Sequence, residues 1–204
     1  MEQIYKKNRK PNLASEGALG TKEFLASVEA AARAALPRSL AGQVHARIRF
    51  SLLQLYFRDP SVHYEVWIQR PSARMRRPNP ARLQGKVGTI EMGLHFEGPD
   101  RERNVALLAR LVSQADKIIE ALGPRVEPEE WTRSWTRLHE SLPLPARLEP
   151  AHAAELGSRV ASWVAACQPL LARAPGARRA MRKVSRKSRH TDSPGRSGGQ
   201  HSVT

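Results

Sequence analysis

The strongest constraint on this chain is a pair of runs in which apolar and polar side chains alternate, His63-Tyr64-Glu65-Val66-Trp67-Ile68-Gln69 and Ile90-Glu91-Met92-Gly93-Leu94-His95-Phe96-Glu97. Period two is the signature of a strand with one buried face. If the two strands pair antiparallel, only registers that set even positions against even ones keep Tyr64, Val66 and Ile68 on the same side as Met92, Leu94 and Phe96, because a slip of one residue inverts every side chain. Parity leaves several registers. The one expected here opposes His63 to Glu97, Glu65 to His95, Trp67 to Gly93 and Gln69 to Glu91, since it makes two imidazole–carboxylate pairs and lays an indole over a glycine. Opposed pairs of this kind contribute roughly 0.2–1 kcal/mol each.

Each run carries a His-x-Glu triplet, so His63, Glu65, Glu91, His95 and Glu97 form a candidate polar site on one sheet face. Two imidazoles with several carboxylates are a ligand set that could hold a divalent metal. The competing reading is structural cross-strand pairing, and it is preferred, because the expected register satisfies every polar group without an ion. No metal and no cofactor is therefore assigned. The triplet also invites comparison with zinc deaminases, which need a Pro-Cys-x-x-Cys as well. Cys167 is the single cysteine, so that match fails, as does any internal disulfide framework.

Charge supplies the second constraint. Lys and Arg number 34 against 19 Asp and Glu, a formal net charge of +15, which points toward polyanionic partners. The excess is localised: residues 173–204 hold nine basic and one acidic residue, residues 70–86 six and none, residues 1–10 four and one. Without these segments the remainder is near −2. The candidate nucleic-acid contacts are Arg74, Arg76, Arg77 and Arg82 in the proline-rich spacer, with Arg178, Arg179, Arg182, Lys183, Arg186 and Lys187 in the tail. A solvated tail without a partner is the plain alternative. The basic start lacks an apolar stretch after it, and no run approaches eighteen apolar residues, so a cytoplasmic location without membrane contact is expected.

In chain order, residues 1–19 have no periodicity and read as a flexible segment. A helix is expected from Thr21, with Thr21 as cap, through Phe24, Leu25, Val28, Ala31, Ala32 and Ala35 to the break at Pro37. Leu40, Val44, Ile48, Leu52 and Leu55 suggest a second helix reaching Phe57. The same stretch alternates as Val44, Ala46, Ile48, Phe50, Leu52, but its length exceeds a typical strand and helix is preferred. The spacer 71–88 inside the hairpin is far longer than such a connection needs. After Gly98-Pro99-Asp100 comes a third helix with the stripe Val105, Leu108, Leu111, Val112, Ala115, Ile118, Ile119 and Leu122, ended by Gly123-Pro124. Residues 130–142 fit a helix by the spacing of Trp131, Trp135, Leu138 and Leu142, and a strand by their Trp and Thr content. Strand is chosen, because a lone hairpin is marginal. A last helix runs from Pro150 to about Arg173 with Cys167 on its inner stripe, and 174–204 reads as a disordered basic tail. Gly195-Arg196-Ser197-Gly198-Gly199 copies a nucleophile-elbow pattern without the strand and helix that motif requires.

The expected fold is α+β: an antiparallel sheet of two or three strands with a central hairpin, packed on amphipathic helices within one domain, residues 20–173, and followed by the disordered basic C-terminal tail. Trp67, Trp135, Arg133, Arg137 and His139 would share the His/Glu face if the third strand lies beside the hairpin. The function expected first is a non-enzymatic nucleic-acid-associated or accessory protein that binds polyanions through the basic loop and tail. The alternatives are a metal-dependent hydrolase using the His/Glu face and a protein-interaction module with no nucleic-acid role; whether the chain is an enzyme stays open.

Overall fold

The computed structural model describes residues 17–70 and 88–172. The expectations for the N-terminal segment, most of the basic spacer and the tail therefore fall outside the described residues. The chain divides into two units, Met1–Cys167 and Gln168–Thr204, and the sheet with its contacts belongs to the first.

Among the described residues the sheet has six antiparallel strands, not two or three. They are β1 (His45–Arg49), β2 (Leu52–Tyr56), β3 (Val62–Gln69), β4 (Thr89–Phe96), β5 (Glu127–Glu129) and β6 (Thr136–Pro143), in the spatial order β1-β2-β3-β4-β6-β5. Five helices accompany them among the described residues: α1 (Thr21–Ala35), α2 (Arg38–Ala41), α3 (Arg101–Val112), α4 (Ala115–Leu122) and α5 (Pro150–Ala172). None is long and apolar enough to cross a membrane.

The largest correction is the stretch after Pro37. The expected second helix shrinks to the single turn α2, and the rest is the β1–β2 hairpin, with Ile48 opposite Leu53 and Ala46 opposite Leu55. The length argument failed because the run holds two five-residue strands and their turn. Phe50 and Ser51 make that turn without Gly, Asn, Asp or Pro, so no local punctuation reveals it.

Three other boundaries move. The expected third helix is interrupted at Ser113 and Gln114, which separates α3 from α4 and leaves Val112 and Ile119 exposed. Asp100 caps α3 by accepting from the Arg103 N–H at 3.1 Å. Gly20, not Thr21, occupies the cap position of α1, and no side chain caps it. The third strand of the sequence reading exists, but it starts at Thr136. Before it, Thr132 Oγ1 accepts from the Ser134 and Trp135 N–H groups, a local turn that competes with strand pairing.

The parity of the central hairpin is as expected; its register is not. His63 opposes His95, Glu65 opposes Gly93, Trp67 opposes Glu91 and Gln69 opposes Thr89, two residues away from the expected alignment. A shift of two keeps the apolar face intact, since Tyr64 faces Leu94 where the expected register set Phe96, and Val66 faces Met92 where it set Leu94. The even face continues into Leu53, Leu55 and Leu138 and forms the core with Phe24, Leu25 and Val28 of α1 and Val160, Trp163 and Val164 of α5. α1 and α5 touch closely at Gly157, where a Cβ would lie 2.5 Å from Ala31 Cβ and 2.8 Å from Ala32 N. Asn104 of α3 accepts from Thr136 and its amide donates to Gly98 O and Ser134 O, tying α3 to the same side. The odd face thus presents its own polar residues in rows.

Candidate metal centre on the odd sheet face

Pairing across the strands places residues on the odd face in two parallel rows. One runs His45, Tyr56, His63, His95, Arg137, Glu129; the next runs Arg47, Gln54, Glu65, Gly93, His139, Glu127. His63, Glu65 and His95 meet where these rows cross β3 and β4, and Glu97 joins them from just beyond the end of β4. One donor atom from each of the four lies within 4.8 Å of every other. His63 Nε2 is 3.3 Å from Glu65 Oε2 and 3.9 Å from Glu97 Oε2, and His95 Nδ1 is 3.4 Å from Glu97 Oε1. The first three are buried and Glu97 is partly open.

The fifth candidate does not join them. Glu91 stands opposite Trp67 and Ser141 and is ion-paired with Arg137, whose Nε also donates to Glu129 at 2.6 Å. That guanidinium lies 4.6 Å from the centre of the Trp131 ring, and Trp131 meets His95 edge-on at 5.5 Å. His139 on the same strand titrates lower than usual, through burial first and then the charge of Arg137, against the pull of Glu91 and Glu129. Trp135 projects from the loop instead of the strand and is 37% exposed. The candidate contacts Arg74, Arg76, Arg77, Arg82, Arg178, Arg179, Arg182, Lys183, Arg186 and Lys187 all lie outside the described residues.

The two imidazoles are not equivalent. His63 Nδ1 is 2.9 Å from Pro60 O, so it carries a proton and donates to that carbonyl, and in the neutral ring Nε2 is then an acceptor. Gln54 Nε2 sits 3.1 Å from His63 Nε2 and 3.2 Å from Glu65 Oε2, bridging both. Burial alone would lower the His63 pKa, but the hydrogen bond that its protonated ring donates to Glu65, the charges of Glu97 and Glu65 and the Pro60 carbonyl outweigh it and raise the value. Burial would raise Glu65; its bond to His63, the charge of His95 and the Gln54 amide together lower it.

His95 has no such support. It is 1% exposed, stacks on His63 with ring centres 5.6 Å apart, and neither nitrogen has a hydrogen-bond partner among the described residues. Its contact with Glu97 is close enough for attraction but lacks hydrogen-bond geometry. This removes the premise of the structural reading, which was that pairing satisfies every polar group. A buried polar group without a partner costs about 1–3 kcal/mol.

The donor chemistry fits a divalent ion. Zinc binds imidazole nitrogen and carboxylate oxygen at about 2.0–2.2 Å, which puts tetrahedral donors roughly 3.4 Å apart. The 3.3 and 3.4 Å separations already match that spacing, whereas the 3.9 Å pair and the rest of the set, which spreads to 4.8 Å, would have to close around the ion. The bond from His63 Nδ1 to a backbone carbonyl is the outer contact that fixes the tautomer of a metal-ligating histidine. Elsewhere, Cys167 is buried and its thiol is pushed up to about 12 by burial, the state of an inert packing residue.

Sequence reasoning named all four clustered residues but missed Gln54, which sat inside the segment read as helix. The signal was present as a lone amide in Leu53-Gln54-Leu55. No protein-family model matches the chain, and no significant match was found among curated proteins or solved structures.

Proposed function

We propose that this chain is a non-enzymatic, metal-binding α+β module in which His63 Nε2, Glu65, His95 Nδ1 and Glu97 hold one divalent ion, with zinc the best fit. The observation that carries this reading is the His95 imidazole, buried with both nitrogens unpartnered beside two carboxylates and a second imidazole. Coordination would satisfy it. Four protein donors in a buried cluster describe a closed site, which favours a structural or regulatory ion over hydrolysis, since catalytic zinc keeps an open position. The charge of the two carboxylates would balance the ion, so the centre would tie β3 to β4 without leaving net charge in the sheet.

The test is metal analysis after exhaustive dialysis of the full chain against buffered zinc, with calorimetric titration. One ion per chain is expected, with binding abolished by His95→Gln and by His63→Gln. Glu127→Gln is the internal control, because Glu127 is an exposed carboxylate on the same face outside the cluster, and it should leave stoichiometry unchanged. Absence of stoichiometric binding at micromolar zinc, or equal damage from Glu127→Gln, would refute the reading.

The polyanion-binding reading stays as a second proposal, favoured by the +15 formal charge.

A further inference from the structure

Phe50 is the one non-glycine residue among those described with a positive φ, at 50°, and its ring is 96% exposed. An aromatic side chain in the left-handed region is sterically strained, and a fully hydrated phenyl ring gains nothing from burial. Such a residue weakens the fold it belongs to, and strain of this kind collects at sites of function. Phe50 occupies the tip of the β1–β2 hairpin, at the end of an edge strand.

The strand beside it is equally unbalanced. His45, Arg47 and Arg49 stand on the odd face of β1, opposite the uncharged Tyr56, Gln54 and Leu52. Neither Arg47 nor Arg49 has a carboxylate or hydrogen-bond partner among the described residues, a state they share with other surface arginines such as Arg58 and Arg110, but here the two stand on one face of one strand. Alternate residues of a strand are about 6.8 Å apart, so β1 sets two guanidinium-bearing positions side by side on one face. Aromatic faces close both ends: Phe50 at the tip, and at the other end the His45 and Tyr56 rings, stacked at 5.4 Å.

We infer that this edge, Arg47, Arg49 and Phe50 with the His45–Tyr56 stack, is a docking strip for single-stranded nucleic acid. Cations flanked along the chain by exposed aromatic rings suit a chain whose phosphates alternate with unpaired bases, and stacking on such rings tolerates any base. An acidic peptide would use the cations but has no flat groups for the rings. A duplex hides its base faces. The inference goes beyond the metal reading and does not rest on it, although the strip shares the odd face with the His/Glu cluster.

The test uses the full chain in chelator, a fluorescein-labelled thymidine 20-mer, and anisotropy across a salt series. Phe50→Ala and Phe50→Gly should each weaken binding at least about fivefold, the lower end of what one lost base stack is worth. Phe50→Gly should melt at or above the wild-type temperature, because glycine adopts positive φ freely, so its lost binding cannot be ascribed to unfolding. Replacing Arg47 and Arg49 together by Ala should make the logarithmic salt slope shallower by about 1.4, two phosphates at roughly 0.7 each for a single strand. Variants that bind with wild-type affinity and slope would overturn the proposal and leave any binding to the other basic segments. A 20-base-pair duplex bound as tightly as the single strand, or Phe50-dependent binding to phosphatidylserine vesicles without Phe50-dependent binding to the oligonucleotide, would overturn it too.

Discussion

Arg159→Met tests how α5 is held to the sheet. Glu140 points from β6 into the helix-covered face, where its side chain is fully buried. Arg159 grips it with both ends of a fork, Nε to Oε1 at 2.7 Å and Nη2 to Oε2 at 3.0 Å, and also donates to Leu122 O at the end of α4. Trp163 Nε1 donates to Oε1 at 2.9 Å, and Arg125 stands 3.7 Å away. Methionine keeps much of the arginine stem while deleting the charge, so the packing loss is small and the electrostatic loss dominates. Removing one partner of a buried pair costs roughly 3–5 kcal/mol, because the other charge is left in low dielectric. Trp163 and Arg125 remain, which places the expectation near about 3 kcal/mol, or a fall of roughly 6–12 °C in melting temperature for a chain of this size. Glu140→Gln in the same background removes the stranded charge, and Gln can still accept from Trp163. The double variant should therefore recover to within about 1 kcal/mol of the wild type. Urea unfolding followed by far-UV circular dichroism, with constant m-values, gives the cycle. A single-variant loss below about 1 kcal/mol, or additive losses in the double variant, would refute the claim that the two charges depend on each other.

Three further outcomes are expected. Free zinc at a hundred times its dissociation constant should stabilise the chain by about 2.7 kcal/mol, and His95→Leu should abolish that gain in a thermal scan while leaving the metal-free melting temperature equal or higher. Gly93→Ala should destabilise by about 1–3 kcal/mol in urea unfolding, because a Cβ there would lie 2.4 Å from Leu138 O and 2.8 Å from His139 Cα, both backbone atoms of the neighbouring strand. Asp59 has a depressed pKa: partial burial opposes the shift, and hydrogen bonds from Ser61 and Arg103 overcome it. Its stabilising contribution is thus present above the unfolded carboxylate pKa of about 3.9 and lost as pH falls through the lower folded value, so Asp59→Asn should flatten the acid limb of the stability–pH curve.

Much of the local architecture was legible because single segments carry their own signal. Alternation in 63–69 and 90–97 identified both central strands and which side chains share a face, and the apolar spacing around Phe24 and Val28 and around Val160 and Val164 identified α1 and α5. Parity alone set His63, Glu65, His95 and Glu97 on one face in any even register, but it set Glu91 there too, and only the structure separates Glu91 through its pairing with Arg137. Tertiary structure decided the rest. The register moved by two because pairing with β2 and β6 on the outer sides adds contacts that a hairpin read in isolation cannot weigh, and parity is indifferent to steps of two. Residues 44–56 fit both periods, and only the sheet edge offered by β3 made two short strands better than one helix. The reach of Gln54 to His63 and the solitude of His95 both depend on atoms from strands separated in sequence. Periodicity reports which face a side chain takes; whether its polar atoms find partners there is a property of the assembled sheet.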